Sequence, residues 1–484
     1  MPANSTKTLL ASLLGAATLV RLSLGYIFFG FHTGDDVEIL QEGFLRALGW
    51  PYRPWEIRNL LVPDALVAPA VWLASALGVT STRTLVWLAS LPFVLLASVN
   101  VLLVFLLARR WLEREGPALL AAALYACHWI PLGYGSTVYP RTVSTTCILL
   151  AALLLGERDG GRWREALAGG VLAVAFAVRY SEGIFLLPAF VALWLRGGSV
   201  PRRIGRCAVL LGGFLAFALL TVGLVDGLTW GHPFSSLAAF TRYTLVDRRS
   251  SSLVVSQPWY WFFWRLPKWL PITLLPFLWR ARRVPGAARA ALFLVLPLLA
   301  LSGIHHKELR YLQGILPFVA LLAAAGAWSW WESGRKRLTV AFCALSLLLG
   351  LKGIGFLRDK SMAAVQASQA LAKVAQHQSV ALSQAWAYGG NLYLRPAVSV
   401  FDLPVTEKDL RSVLGKVQWV ALYEKDLRSS PELGALLKQR GFVAGGEHRW
   451  GRSRPVILFA APQSGVISTR TTPGLTMPRA RAAP

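Results

Sequence analysis

The feature that most constrains the fold is a series of apolar segments that are each long enough to cross a membrane. The first, residues 8–30, contains Arg21 as its one charged residue, and about 20 helical residues cross the ~30 Å hydrocarbon core of a bilayer. Its apolar stretch exceeds the ~7–15 residues of a secretory signal, and no small-residue cleavage site precedes the following loop. We therefore predict a retained first transmembrane helix.

Ten further apolar segments follow, so the sequence predicts an α-helical polytopic membrane protein with about eleven spans. The hydrophobic content of 55% and the charged content of 15% both support this class over a soluble one. Two of the segments, 166–180 and 182–195, are short enough to be tilted or partly re-entrant. The ten segments cover residues 84–108, 116–136, 140–156, 166–180, 182–195, 207–227, 259–279, 287–303, 311–331 and 338–357.

Arginine and lysine are concentrated in alternate connections between these spans, and the positive-inside rule places those connections in the cytoplasm with the N-terminus. This topology and contact with anionic lipid explain the formal net charge of +26 better than nucleic-acid binding does. We predict a multi-pass protein of the inner (plasma) membrane. The basic connections are 109–115, 157–165, 196–206, 280–283 and 334–337, and the predicted outer segments are 31–83, 133–139, 228–258, 304–310 and everything after about 358.

The composition changes near residue 358, which predicts a transmembrane domain over 1–357 and a small extracytoplasmic α/β domain over 358–462. Within the second domain, 379–394 and 417–426 have the pattern of short buried strands, and 430–442 that of an amphipathic helix ended by Gly441. The tail, 463–484, has too little apolar content for a core and is predicted to be disordered.

The cysteines lie within or at the edges of apolar spans and show no CxxC spacing, so we interpret them as packing thiols rather than as disulfide or zinc ligands. They are Cys127, Cys147, Cys207 and Cys343.

The first outer loop, 31–83, contains six acidic residues between Asp35 and Asp64 in a chain that has only 24. Asp35, Asp36 and Glu38 stand close to the predicted membrane surface, where mutual repulsion would not help a purely structural loop. A catalytic or cation-binding role is one interpretation. The other is that Asp35 or Asp36 is the N-cap of the following helix, whose apolar stripe predicts that it lies on the membrane interface.

Two further clusters of charged residues lie in predicted outer segments. Glu56 and Arg58 follow in the first loop, where the alternative to a functional role is a weak surface pair. The second cluster lies at the edge of a late span, and its cations are candidates to bind a lipid-linked phosphate or, alternatively, snorkelling side chains at a helix end. It consists of His305, His306, Lys307, Glu308 and Arg310.

The order of these motifs resembles the family 22 glycosyltransferases, the polyprenyl-phosphate-mannose-dependent mannosyltransferases of GPI-anchor and N-glycan assembly. In "HTGDD" (32–36) and "WEIRNLLVPD" (55–64) we see the family's His-Pro-Asp-Glu and Trp-Glu-x-Arg segments. "HKELRYLQGILPF" (306–318) matches its His-Lys-Glu-x-Arg-Phe segment and proline-containing span. The family's later outer loop and its Trp-Tyr-rich entry to a span are matched in outline by two aromatic segments, "DGLTWGHPFSSLAAFTRY" (226–243) and "PWYWFFWRLP" (258–267).

The resemblance covers roughly residues 8–360 and implies the GT-C architecture. It also implies a membrane glycosyltransferase that moves a mannose-like sugar from a polyprenyl-phosphate donor to a lipid-linked or cell-envelope acceptor. The separate C-terminal domain is similar to that of bacterial GT-C enzymes. Because Thr33-Gly34 replaces the family's proline, either Asp35 or Asp36 can correspond to its aspartate, and counting back from "WEIR" slightly favours Asp36.

Such a transfer needs a base for the acceptor hydroxyl and cations for the departing phosphate. A carboxylate at 35 or 36 supplies the base. Lys307 and Arg310, with Arg58, supply the cations, so we expect that the reaction needs no divalent metal and no other cofactor. Because one base with a direct displacement needs no covalent intermediate, we also expect inversion at the sugar carbon. The remaining candidate substrate-binding residues are Glu38, Glu56, His305, His306 and Glu308.

Two other classes of function fit an acidic and basic outer face. A lipid-linked oligosaccharide flippase or transporter would line a pathway with buried charges, but the sequence shows no internal repeat of the kind that many transporters have. An oligosaccharide polymerase or ligase would also use outer loops with Arg and His.

Overall fold

The computed structural model divides the chain into two compact units, Met1–Ser361 and Met362–Pro484, which are described separately. The described residues are 3–29, 32–156, 161–247, 256–355, 357, 362–375, 378–383, 390–394, 398–403, 407–449 and 454–462. The predicted disordered tail, 463–484, lies outside these residues.

All the regular secondary structure in the described part of the first unit is helical. Short 3₁₀ or π segments at Pro63–Val67, Tyr180–Phe185, Leu219–Leu224, Arg242–Val246, Ile272–Leu274 and Leu309–Gly314 adjoin its α-helices. The α-helices are α1 Ala3–Ile27, α2 Gly34–Leu48, α3 Ala68–Ala76, α4 Thr82–Ala89, α5 Leu91–Leu112, α6 Glu115–Ala126, α7 Trp129–Tyr134, α8 Pro140–Leu155, α9 Arg162–Val178, α10 Leu186–Trp194, α11 Val200–Ala218, α12 Val225–Trp230, α13 Ser235–Thr241, α14 Trp261–Trp264, α15 Leu266–Trp269, α16 Leu275–Ala281, α17 Ala287–Gly303, α18 Leu316–Glu332 and α19 Lys336–Leu351.

Three stretches within the described residues are both long and apolar enough to cross a membrane as single helices: Ser5–Ile27, Thr82–Leu112 and Val200–Trp230. Four shorter apolar helices accompany them, at Pro140–Leu155, Tyr180–Trp194, Ile272–Ala281 and Ala287–Gly303.

Two predicted spans are broken in the structure. The apolar segment 116–136 ends its first helix at Ala126, and a second helix starts at Trp129 with His128 as its N-cap. The segment 259–279 divides into α14, α15, a 3₁₀ turn and α16. Pro267 and Pro271 explain this second break, because proline lacks an N–H and clashes with the preceding helical turn.

The helices pack around one large apolar core, within which α9 and α11 approach each other most closely at glycines. A Cβ atom on Gly169 would lie 1.9 Å from the carbonyl oxygen of Leu210, and one on Gly213 would lie 2.0 Å from that of Ala166. Small residues of this kind allow helix backbones to approach closely within a membrane. The contact supports α9, whose C-terminal end carries a residue of the candidate site.

The second unit contains a five-stranded mixed sheet with strand order β2-β1-β3-β5-β4. Its strands are β1 Ser379–Leu382, β2 Ser399–Asp402, β3 Trp419–Tyr423, β4 Val443–His448 and β5 Val456–Ala460. β1 pairs in parallel with β2 and β3, whereas β5 runs antiparallel to β3 and β4. Helices α20 Met362–Val374, α21 Gly390–Tyr393, α22 Glu407–Leu414, α23 Glu424–Ser429 and α24 Pro431–Gln439 complete the described part.

The small α/β composition of this unit was predicted correctly from the sequence. β1 and β3 lie within the two predicted strand segments, and the predicted amphipathic helix is α24. Gly441 follows that helix with a φ of 74°, a left-handed conformation that glycine adopts without strain.

Candidate active site

The site begins at the first turn of α2. Thr33 is the N-cap, since its backbone is extended and its hydroxyl accepts a hydrogen bond from the Asp36 amide at 3.4 Å. The Asp36 carboxylate in turn accepts bonds of 2.8 Å from the Thr33 hydroxyl and from the His32 amide. This reciprocal arrangement is a variant of the capping box, in which the acid bonds the amide before the N-cap. Neither aspartate is therefore the N-cap, contrary to one of the two interpretations of the sequence.

Helix α2 is buried on its polar face as well as on its apolar stripe. Leu40 and Phe44 are fully buried, as an amphipathic helix requires, but Glu38 and Glu42 are buried too. Burial raises the pKa of Glu42 well above its ordinary value, and Glu38 pairs with Arg58 at 2.9 Å. The apolar stripe that predicted contact with the membrane interface is thus packed inside the protein, and Arg58 covers Glu38 on the charged side.

Three arginines converge on the Asp35 carboxylate. Arg58 Nη2 lies 2.6 Å and Arg179 Nη1 3.0 Å from Oδ1, and Arg310 Nη1 lies 2.9 Å from Oδ2. Asp35 is only 7% exposed. Burial by itself would raise the pKa of Asp35, but Arg179, Arg310 and Arg58 together hold it well below the usual range. Asp35 is therefore charged at any physiological pH.

Asp36 has a different environment although it is the next residue. It is completely buried and accepts a third hydrogen bond, of 3.2 Å, from the Thr137 hydroxyl. Burial raises its pKa to about 6, against the opposing effect of its bonds from His32 and Thr33. The bonds from His32 and Thr33 close the turn at the start of α2, and the bond from Thr137 ties this turn to the segment before α8.

Arg179 and Arg310 lie at two short turns, and the buried Arg141–Glu182 ion pair holds these turns next to each other. Arg179 ends α9 in an extended conformation just before the Tyr180–Phe185 turn, and Arg310 lies in the Leu309–Gly314 turn. Arg141, at the start of α8, pairs with Glu182 of the first turn and stacks 4.7 Å from the ring of Tyr311 in the second. Because removing one partner of a buried pair leaves an uncompensated charge, this pair fixes both turns.

The loop that carries Arg58 is anchored to the segment after α11. The Asn59 amide donates to Asp226 at 3.1 Å, and Asp226 also accepts bonds of 2.8 and 2.7 Å from the amide and hydroxyl of Ser236. The Trp230 indole donates to the Arg58 carbonyl oxygen at 3.3 Å. The position of Arg58 against Asp35 thus depends on residues far along the chain.

Of the late predicted cluster, Arg310 and Glu308 join the site directly. Glu308 Oε2 lies 2.7 Å from Arg310 Nε, so Arg310 bridges Glu308 and Asp35. His306 lies 3.3 Å from Glu308 at the edge of this group, whereas His305 is exposed. Arg58, Arg179 and Arg310 are therefore matched by three carboxylates: Asp35, Glu38 and Glu308.

Lys307 is buried and bonded to backbone rather than to an acid. Its ammonium donates to the carbonyl oxygens of Gln257, at 2.9 Å, and Ile304, and burial lowers its pKa. No carboxylate pairs with it among the residues that the structure describes. Lys307 therefore lies next to the cluster, but no described carboxylate of the cluster neutralises its charge.

The structure does not bring the predicted site residue Glu56 into this group. Its side chain is 69% exposed and its nearest cation is Arg53, at 4.0 Å. This geometry matches the weak surface pair that was the alternative interpretation, except that the partner is Arg53 and not Arg58.

Sequence reasoning missed Arg179, Arg141 and Thr137. Arg179 stands in the sequence at the end of the apolar run 166–180, and a lone arginine within such a run is itself a signal, because charges in membrane helices are expensive and usually functional. Arg141 starts a predicted span in the same way. Thr137 carries no such signal, since a hydroxyl in a short outer connection is common.

Comparison with protein families gives one match across most of the chain. Residues 43–385 match the model of the Alg9-like mannosyltransferase family; Asp35 and Asp36 precede this range. GPI mannosyltransferase 3 of Drosophila melanogaster is 24% identical over 353 residues, which cover 68% of this chain and 58% of that protein. The chain thus spans little more than half the length of this curated relative.

Solved structures with a similar fold include the following two. ArnT from Cupriavidus metallidurans bound to undecaprenyl phosphate matches with a TM-score of 0.63 and 13% identity, over 94% of this chain and 98% of that one. The Archaeoglobus fulgidus oligosaccharyltransferase, tethered with an acceptor peptide, matches with a TM-score of 0.54 and 12% identity, over 94% and 74%. These neighbours confirm the predicted GT-C fold class.

Proposed function

The chain belongs to the Alg9-like mannosyltransferase family, and from that premise we propose that it transfers a mannose-like sugar from a polyprenyl-phosphate donor to a lipid-linked or cell-envelope glycan. The predicted topology assigns the reaction to the outer face of the membrane, with inversion at the sugar carbon. The family gives the class of reaction, and the donor, the acceptor and the roles of the residues are our proposal.

The observation that carries the proposal is the convergence of Arg58, Arg179 and Arg310 on Asp35. The guanidinium groups are suited to stabilise an anion that departs nearby, and the carboxylate among them can accept the hydroxyl proton once an arginine turns to that anion. The three arginines come from segments that are far apart in the sequence, so no local structural need explains their meeting at one carboxylate.

Lys307 is the residue best suited to bind the donor phosphate. The three arginines are already matched by carboxylates, whereas Lys307 is held by two backbone carbonyl groups, so an incoming phosphate would give it the opposite charge that it lacks. Arg310, three residues further on, can reach the same anion by giving up part of its contact with Asp35. Because side-chain cations neutralise the phosphate in this scheme, a divalent metal is not required.

The lipid part of the donor has an apolar surface next to this lysine. Trp259, Tyr260, Phe263 and Trp264 are exposed, Trp264 by 76%. Gln257, two residues before Trp259, is the residue whose carbonyl oxygen binds Lys307. Aromatic side chains of this kind are favoured where a membrane meets water, so a polyprenyl chain can lie along them with its phosphate at Lys307.

In the proposed reaction, the acceptor hydroxyl oxygen attacks the anomeric carbon of the donor sugar. A new C–O bond forms as the bond between that carbon and the phosphate oxygen breaks, and its electron pair leaves with the polyprenyl phosphate. Asp35 takes the hydroxyl proton. One displacement inverts the anomeric configuration and needs no covalent intermediate.

Asp35 is a better candidate for the base than Asp36, although counting from the "WEIR" motif slightly favours Asp36. The oxygens of Asp36 are occupied by the capping box and by Thr137, and the residue has no exposed surface. The low pKa of Asp35 makes it a weak base at rest. When the donor phosphate draws Arg310 away, this pKa rises, so donor binding prepares the base for the acceptor.

The test is transfer from radiolabelled polyprenyl-phosphate mannose to a membrane glycolipid fraction, with the purified full chain. Replacing Asp35 with Asn should reduce transfer by about 10²–10⁴-fold, while the variant still gains thermal stability from added polyprenyl phosphate, which shows that it is folded. The exposed Glu56→Gln variant is the matched control and should keep the wild-type rate. Near wild-type transfer by the Asp35→Asn variant would remove Asp35 from the mechanism.

A further inference from the structure

A second concentration of arginines lies at the other end of the helix bundle. Helix α5 begins beside the 136–137 segment. A Cβ atom on Gly25 of α1 would contact both Ser136 and Ser90, the residue just before α5, so these two residues are close together. The neighbouring Thr137 binds Asp36. The 22 residues of α5 rise roughly 33 Å to Leu112. The second group of arginines surrounds that far end, on the predicted cytoplasmic side.

These arginines line a cavity of about 1120 Å³. Its walls come from the ends of α5 and α18 and the starts of α6, α9 and α17. Two glutamates, Glu113 and Glu332, also line it, and Glu332 pairs with Arg114. The cationic lining residues are Arg110, Arg114, Arg164, Arg283 and Arg289, so cations outnumber acids among the described lining residues.

The cavity contains a buried hydrogen-bond donor without a partner. Trp111 is 5% exposed, and its indole nitrogen has no acceptor among the described residues. Gly286, which opens α17 with a φ of 82°, leaves no room for a side chain on this wall, since a Cβ atom there would lie 1.9 Å from the Trp111 carbonyl oxygen. A buried donor costs free energy unless it is bonded, so its position in the lining points to a ligand that accepts hydrogen bonds.

Topology alone does not account for this arrangement. The positive-inside rule explains why arginines lie at this end of the bundle, but it does not require them to converge on a cavity from several helices or to adjoin an unpaired indole. The guanidinium fork matches the oxygen geometry of a phosphate group. Basic pockets between transmembrane helices on the cytoplasmic side are suited to anionic lipid headgroups.

We propose that this cavity binds the phosphate-bearing headgroup of an anionic phospholipid from the adjacent leaflet. The volume exceeds what one inorganic phosphate ion fills and lies just above the ~300–1,000 Å³ of typical small-molecule sites. Leu112, Pro117 and Ala325 give the lining an apolar part, which suits the start of an acyl chain. Trp163 is 61% exposed at the rim, as tryptophans at a membrane surface commonly are.

The experiment measures the thermal stability of the full chain in neutral detergent while phosphatidylglycerol, phosphatidylcholine with the same acyl chains, or inorganic pyrophosphate is added. Phosphatidylglycerol should raise the melting temperature in a saturable way, and phosphatidylcholine should not. The Arg164→Gln/Arg289→Gln double variant should bind phosphatidylglycerol about tenfold or more weakly, because charge-assisted contacts are lost. The exposed Arg283→Gln variant, which is the least able to disturb folding, should weaken binding in the same direction.

The matched control is the Arg202→Gln/Arg282→Gln double variant. Both residues are exposed in the basic connections of the same predicted face, neither lines the cavity, and Arg282 stacks on Trp279 instead. This control should keep wild-type affinity. Equal losses in control and cavity variants would overturn the proposal, as would unchanged affinity in both cavity variants. Equal stabilisation by pyrophosphate would assign the cavity to a soluble anion and overturn the lipid assignment.

Discussion

At the scale of single residues, the contrast between Asp35 and Asp36 shows how neighbouring carboxyl groups acquire different chemistry. Three arginines keep Asp35 charged, whereas Asp36 is buried among an amide and two hydroxyl groups that neutralise it less completely. Hydrogen bonds from neutral donors compensate a buried charge less well than guanidinium groups do. The first residue is therefore suited to the reaction and the second to holding the turn.

The pKa of Asp36 predicts how stability depends on pH. Its folded value of about 6 is above the roughly 3.9 of an unfolded aspartate, so the folded state binds this proton more tightly. The resulting stabilisation is complete below about pH 4 and is lost as the pH rises through 6. In the Asp36→Asn variant, the change in melting temperature between pH 4.5 and 7 should be smaller than in the wild type. The Glu56→Gln variant should keep the wild-type slope, and an equal slope in the Asp36→Asn variant would contradict this assignment.

Lys307 gives a second residue-level prediction. If its ammonium binds the donor phosphate, replacing it with methionine keeps most of its packing but removes a contact of about 1.5–3 kcal/mol. The KM for the polyprenyl-phosphate donor should then rise by at least about tenfold, with little change in melting temperature. Lys268, which is exposed on the neighbouring segment, provides the control, since Lys268→Met should leave the KM for the donor unchanged. An unchanged donor KM in the Lys307→Met variant would support the snorkelling interpretation.

How far the sequence predicts the site also depends on the residue. Asp35, Arg58 and Arg310 stand out because charged residues are rare in a chain with this apolar content, and each lies beside a recognisable motif. The pairing of Arg179 with Asp35 was not predictable, because it depends on α9 ending at Val178 and on an extended residue after it. Nor does the sequence reveal that Thr33, one residue before a glycine, is the cap, which decides that both aspartates lie inside the helix.

At the scale of elements, the close contact of α9 and α11 depends on single glycines. Gly212 and Gly213 are adjacent in α11, but only Gly213 faces the backbone of α9; a Cβ atom on Gly212 meets nothing within 4 Å. The two positions therefore form a matched pair with the same sequence surroundings and the same helix.

Replacing Gly213 with Ala should lower the stability by about 1–3 kcal/mol, because the two helices must separate to admit the methyl group. Replacing Gly212 with Ala should be neutral or slightly stabilising, since alanine is the better helix former by about 1 kcal/mol. The measurement is thermal unfolding of both variants in the same detergent. Equal melting temperatures would show that the helices accommodate the methyl group without cost. Because α9 delivers Arg179, we also expect the Gly213→Ala variant to transfer sugar more slowly.

The bounds of the helices were predictable where a long apolar run alone determines them. They were less predictable where proline residues interrupt the backbone hydrogen bonds of a helix. The long stretches Ser5–Ile27 and Val200–Trp230 correspond to predicted spans, although the second starts earlier than its apolar run. The run 259–279 is equally apolar, yet its prolines divide it into short helices. At Pro63 the chain does not break, because it continues through a π segment into α3.

At the scale of the whole first unit, the two arginine-rich regions agree with the predicted topology. The predicted outer segments 31–83, 133–139 and 304–310 all contribute residues to the group around Asp35 and Asp36. The predicted cytoplasmic connections 109–115, 157–165 and 280–283 all contribute to the cavity at the far end of α5. Segments that meet in one place must lie on the same side, which is the alternation that the basic residues predict.

Reporter insertions test this assignment directly. Gly78 and Gly198 are exposed glycines in connections predicted to lie on opposite sides, and a Cβ atom at Gly78 would meet nothing within 4 Å. A reporter at Gly78 should give an extracytoplasmic signal, and one at Gly198 a cytoplasmic signal. The same signal at both positions would contradict the topology, and reversed signals would place the proposed reaction on the cytoplasmic face.

The meeting of Arg58, Arg179 and Arg310 at Asp35 also bears on how the protein is made. Asp35 emerges from the ribosome with the first span, whereas Arg310 follows after most of the unit has been synthesised. At about 5–20 residues per second, the interval is on the order of tens of seconds. Throughout that time the carboxylate has an incomplete set of partners. Because burying an unpaired charge is costly, we expect Asp35 to stay hydrated and α2 to settle into its buried position late. If Arg310 acts as proposed, we expect a nascent chain that is released before Arg310 to lack transfer activity and to keep the acidic face of α2 exposed, which would distinguish it from the finished protein.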